Sequence, residues 1–110
     1  MSDCLFCKII RKEIPKEFTY ESENLVAFSD INPSADIHIL IIPKKHIGGI
    51  GDIKAEYGPL LSEIYQTVAK LVADNNLQNN SYRVVVNGGS AQHVPHLHFH
   101  LLGGKWYKFI

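Results

Sequence analysis

The 110-residue sequence predicts an α+β domain: an antiparallel sheet of about five strands, one long helix and a short N-terminal helix, with the helices on one side. Three observations predict it. Leu60, Leu61, Ile64, Val68, Leu71, Val72 and Asn75 recur at spacings of three and four, the period of one helical face. Ile37 to Ile42 is short, apolar and β-branched, as a buried strand requires. His96 to Leu101 alternates imidazole and apolar side chains, the period of a strand with two unlike faces. Hydrophobic residues make up 45% and charged residues 20%, as in one globular domain spanning residues 1–110.

In chain order, Asp3 is the expected N-cap of a helix over Cys4 to Arg11, and Pro15 closes that region. Glu17 to Glu21 and Leu25 to Ser29 read as strands joined by Ser22-Glu23-Asn24. Asp30 to Asp36 reads as a loop around Asn32-Pro33-Ser34. Lys44 to Asp52, with Gly48, Gly49 and Gly51, reads as another. Pro59 suits the first turn of the long helix, and Asp74 to Asn80 ends it. Tyr82 to Val86 and Val94 to Leu102 complete the strands, with Gly103-Gly104 expected to stop the last one.

Eleven basic and eleven acidic residues leave no net charge, and Arg11 and Arg83 are the only arginines. Binding the phosphate backbone of nucleic acid needs an excess of cations, so that function class is disfavoured. The longest apolar run, Ile39 to Pro43, is far too short to span a membrane, and the charged N-terminal dozen residues do not read as a signal peptide. Cys4 and Cys7 make no secreted disulfide framework, so a cytoplasmic protein is expected.

Four of the six histidines lie between His93 and His100. On a strand, His96, His98 and His100 would share one face at intervals of roughly 6.5–7 Å. Two chemistries suit such a row. One is a metal site, since imidazole binds zinc. The other is metal-free catalysis at phosphorus, where one neutral ring attacks and a protonated neighbour stabilises charge and donates a proton. Asn87-Gly88-Gly89-Ser90, just upstream, is able to turn backbone N–H groups toward an anion.

His96-Leu97-His98-Phe99-His100-Leu101-Leu102 resembles the signature of the histidine triad (HIT) family of nucleotide hydrolases and transferases. Leu5-Phe6-Cys7-Lys8-Ile9-Ile10, Phe28-Ser29-Asp30-Ile31-Asn32-Pro33, the stretch His38 to His46 and Leu102-Gly103-Gly104 are similar to its Hint branch. The resemblance implies a HIT-like fold, a homodimer whose sheets join, and hydrolysis of purine nucleoside 5′-phosphoramidates through a nucleotidyl-histidine. It implies His98 as nucleophile, His100 at the phosphate and leaving group, His96 orienting its neighbours, and His38 as a supporting fourth histidine. Asp30 would hold the ribose hydroxyls. Leu5, Phe6, Phe28 and Ile31 would wall the purine, Asn87 would reach the phosphate region, and Gln92 and His93 would complete the nucleotide-binding residues. His93 stands where the family carries serine or threonine, Pro95 replaces a residue that is often aromatic, and the Asn87 to Gln92 loop is about two residues shorter than in animal relatives.

No cofactor is expected for catalysis. Cys4-x-x-Cys7 reads as half of a zinc site, for which the resemblance implies two histidines, with His46 and His96 as the candidates, or as two small buried thiols. The tail Trp106-Tyr107-Lys108-Phe109-Ile110, with Tyr57 and Tyr65 on the helix flank, is apolar enough to predict a twofold dimer. The competing functions are dinucleoside polyphosphate hydrolysis, regulatory purine-nucleotide binding without turnover, and zinc binding by the histidine row.

Overall fold

The computed structural model describes residues 4–110; Asp3, the expected cap, lies outside them. Helix α1 (Leu5–Ile10) is capped by Cys4, whose Sγ accepts the Cys7 N–H at 3.4 Å. It stops at Lys12, which takes a left-handed φ of 65° and lets Glu13 N–H reach the Lys8 carbonyl at 2.9 Å. The long helix α2 (Gly58–Asp74), with Pro59 in its first turn, ends the same way. Asn76 has φ 56°, Leu77 N–H bonds the Val72 carbonyl, and the Leu77 side chain is buried.

Strands β1 (Tyr20–Glu21), β2 (Leu25–Ser29), β3 (Ala35–Pro43), β4 (Tyr82–Val85) and β5 (Phe99–Trp106) form one antiparallel sheet in the order β1-β2-β3-β5-β4. The first strand is shorter than expected, and β3 begins two residues before Ile37. Alternate residues of the central strands feed two separate cores. Leu25, Ala27, Ile39, Ile41, Phe99 and Leu101 pack under Ile64, Val68, Leu71 and Val72 of α2. Val26, Phe28, Leu40 and Ile42 pack against Phe6, Cys7 and Ile9 of α1. The expectation of helices on one side is therefore corrected. Both faces of β2 and β3 are apolar, so both must be covered.

The last strand also differs from its expected span, Val94 to Leu102. The β3–β5 ladder begins at Ile41 opposite Phe99. Two residues further that register would set Leu97 against Pro43, which has no N–H to give. Leu97 N–H bonds the Ile47 carbonyl at 2.6 Å instead, and His96 and His98 precede the strand. At the other end Gly103 and Gly104 do not stop β5. Between Gly103 and Trp106 the strand takes three steps where β3 takes two, from Ile37 to Ala35. Gly104, at φ 77°, absorbs the extra residue as a bulge. A Cβ on Gly103 would lie 2.6 Å from Leu77 Cδ1, so α2's cap packs directly on this strand. Among the described residues no helix is long and apolar enough to cross a membrane.

Candidate functional site

The α1-side face of β3 and β5 presents two buried histidines. His38 pairs with Leu102, and Leu40 with His100, so the rings are diagonal neighbours across the ladder. His38 Nε2 and His100 Nδ1 lie 2.9 Å apart. The partners assign the protons. Ser34 N–H donates to His38 Nδ1 at 3.0 Å, so a neutral His38 carries its proton on Nε2 and gives it to His100 Nδ1. A neutral His100 then carries its own proton on Nε2. That nitrogen is buried and has no hydrogen-bond partner among the described residues.

His98 has the opposite arrangement. Its Nδ1–H donates to the His96 carbonyl at 2.7 Å, which leaves the lone pair on Nε2. The His98 and His100 rings are 5.0 Å apart, and Phe6 stands edge-on to His98 at 4.9 Å. The site therefore places a nitrogen lone pair on one ring beside an unpartnered N–H on the next. That pair is suited to attack an electrophile and hydrogen-bond the atom that departs.

Burial lowers the pKa of every ring here. His100 falls to about 4, through burial first and then through His98 and His38. His98 is lowered by burial, against the opposing pull of its bond to the His96 carbonyl and of Asp30. His38 is lowered by burial, with Asp30 opposing. Burial thus disfavours the protonated neighbour expected from the sequence and favours neutral rings, and in that form His100 offers Nε2–H as a donor.

His96 leaves the expected row. Its side chain is fully buried, Nε2–H donates to the Pro43 carbonyl at 2.8 Å, and Nδ1 faces Cys4 Sγ at 3.4 Å and Cys7 Sγ at 3.5 Å. His46 Nδ1 is 3.2 Å from Cys7 Sγ. The ligand atoms of Cys4, Cys7, His46 and His96 all lie within 4.8 Å of one another. Tetrahedral zinc spaces sulfur and nitrogen ligands about 3.5 Å apart, so this donor set fits that metal. The Pro43 bond leaves the His96 lone pair on Nδ1, the side a metal needs.

The other expected site residues are spread unevenly. Asp30 Oδ2 is 3.6 Å from His38 Nε2, while Oδ1 accepts the Asn32 N–H at 2.9 Å, so one oxygen serves the turn and the other faces the histidines. Phe28 is buried between Phe6 and Phe18, while Leu5 is 46% and Ile31 82% exposed. Asn87 is half-buried and His93 exposed. Both amide hydrogens of Gln92 are taken, by the carbonyls of Gly48 and Val94, so it ties two glycine-containing loops together. Ser34, which sets the tautomer of His38, falls within the loop expected over Asp30 to Asp36; its sequence signal is a serine four residues before a strand histidine.

Residues 3–108 match the family model described as "Scavenger mRNA decapping enzyme C-term binding". Purine nucleoside phosphoramidase from Escherichia coli (strain K12) is 38% identical over 105 residues, covering 94% of this chain and 88% of that protein. The 14 kDa zinc-binding protein of Zea mays is 48% identical over 108 residues, covering 94% and 84%. Among solved structures, a HIT family hydrolase from Legionella pneumophila superposes with a TM-score of 0.91 at 44% identity, covering 97% of each chain.

Proposed function

The chain belongs to the histidine triad family, and from that premise we propose that it hydrolyses purine nucleoside 5′-phosphoramidates at His98. The observation that carries this reading is the pairing of tautomers: a lone pair on His98 Nε2 beside an unpartnered N–H on His100 Nε2. His98 Nε2 attacks the α-phosphorus and the P–N bond breaks. The departing nitrogen accepts a hydrogen bond from His100 Nε2–H and takes from solvent the proton that makes it the free amine, while His38 Nε2–H keeps its bond to His100 Nδ1. Water then attacks the nucleotidyl-histidine, loses a proton to solvent and releases the nucleoside monophosphate, which leaves His98 neutral. His96 contributes its carbonyl, which fixes the His98 tautomer. Asp30 Oδ2 holds the ribose. Phe6, Leu5 and Ile31 border the purine, with Phe28 as the buried support behind Phe6. Asn87 and His93 reach the phosphate from the loop that Gln92 anchors.

The donor set of Cys4, Cys7, His46 and His96 is proposed to hold structural zinc, which would supply folding energy and fix the His96 ring. The name of the Zea mays relative, a 14 kDa zinc-binding protein, supports this reading. A cytoplasmic homodimer remains part of the proposal, on the exposed Tyr107 and Phe109 of the tail. The deciding experiment is turnover of adenosine 5′-phosphoramidate by wild type and His98→Ala in chelator. Wild type should release AMP and ammonia, and the variant should lose at least about 1000-fold in kcat while still binding AMP. AMP binding with no turnover by wild type would favour the regulatory reading instead.

A further inference from the structure

The tautomers of His38 and His100 depend on one residue, Ser34, and Ser34 is held from outside the site. It is buried, and its two backbone groups point to different places. The N–H donates to His38 Nδ1 at 3.0 Å, and the carbonyl accepts the Tyr107 N–H at 2.7 Å and the Lys108 N–H at 3.4 Å. The tail that supplies these donors is fastened by Asp36. That carboxylate accepts the Lys105 N–H at 2.9 Å and a short bond from the Tyr107 hydroxyl, and both bonds lower its pKa. The bulge at Gly104 makes room for it, since a Cβ there would lie 2.7 Å from Asp36 Oδ2.

We propose that Asp36 and Tyr107 are positioning residues that strap the C-terminal segment onto Ser34, so that His38 holds its proton on Nε2 and His100 presents N–H to the substrate. The side chains of Asp36 and Tyr107 are both exposed. Their effect passes through two backbone groups of one buried serine. Without the strap, Ser34 N–H is no longer fixed on Nδ1. His38 is then free to place its proton there and offer a lone pair to His100, which would move the His100 proton from Nε2 to Nδ1, away from the substrate. The inference about turnover rests on the proposed reaction; the inference about tautomers does not.

The test compares wild type with Tyr107→Phe, which removes only the hydroxyl, and Tyr107→Pro, which also removes the N–H given to Ser34. Nitrogen-15 NMR of the histidine rings reads the tautomer without any substrate. Wild type should show His38 with Nε2 protonated and Nδ1 as acceptor. Tyr107→Phe should shift this pattern partly and Tyr107→Pro further, with Asp36→Asn, which keeps an acceptor, milder than Asp36→Ala. Losing one ordinary hydrogen bond from the arrangement should lower kcat on adenosine 5′-phosphoramidate about 3- to 10-fold, with KM changed less than about twofold. A general loosening of the fold would lower the active fraction without changing the tautomer of the folded signals. Wild-type His38 signals in Tyr107→Pro overturn the strap, and so does an altered tautomer with unchanged kcat. If wild-type protein turns over no phosphoramidate, the proposed reaction fails while the NMR comparison still decides the strap. Tyr107→Phe alters a half-exposed ring at a strand end, so it keeps the test open if Tyr107→Pro does not fold.

Discussion

Acid should unfold this protein partly through His100. The ring is 7% exposed and its pKa is lowered from the usual 6.5 to about 4. In the unfolded chain the ring takes a proton near pH 6.5; in the fold it does so only near pH 4. The unfolded state therefore binds more protons between these values, and stability present above 6.5 is lost as pH falls. For this one group, moving from about pH 7.5 to about pH 4.5 should remove about 2.5 kcal/mol. At the urea sensitivity usual for a chain of this size, that is a midpoint shift of about 2 M. The assay is urea unfolding at a series of pH values for wild type and His100→Asn. Glu13, Glu21 and Asp36, whose pKa values are also shifted, titrate in both proteins and cancel in the difference. The wild-type curve should fall more steeply than that of the variant over this range. Parallel curves, differing by less than about 0.5 kcal/mol across the range, would refute the burial argument for His100.

Chelation should leave phosphoramidate turnover intact at low temperature while lowering the thermal midpoint, with metal analysis of the native protein showing about one zinc per chain; metal-free native protein would remove the zinc assignment. Gly103→Ala should cost about 1–3 kcal/mol in urea unfolding, because its Cβ meets the Leu77 side chain at 2.6 Å beneath the end of α2. Light scattering at micromolar concentration should give twice the mass of one chain, and a monomer with full activity would remove the dimer.

The site was legible where its determinants are local. The alternation from His96 to Leu101 correctly puts Leu97, Phe99 and Leu101 in the core under α2, because a two-residue period is written in consecutive side chains. The spacing of Cys4 and Cys7 likewise marks a helical turn with two thiols together. What was not legible came from distant parts of the chain. The start of β5 is set by the missing N–H of Pro43, more than fifty residues away, so a continuous strand from Val94 was the natural expectation. The fate of the His96 ring follows from that break. The role of Ser34 depends on a donor from Tyr107, and no local pattern announces it. The two-sided sheet was present in the sequence, in the unbroken apolar run of β3, but a short α1 gave little sign that it would cover the second face.

The His38–His100 contact joins residues 62 positions apart. Closing a loop of that length costs about 3.6 kcal/mol in chain entropy before any contact repays it. Helix α2 and the β2–β3 hairpin can form from neighbours in sequence, whereas β5 must find β3 across the intervening helix and strand. The His38–His100 contact is therefore assembled by the least local strand pairing among the described residues, and is expected to form late in folding. Partly folded chains that have α2 and the hairpin contain every histidine yet no site. Under the proposed function nucleotide should bind the completed fold alone, and should slow unfolding by holding β3 to β5.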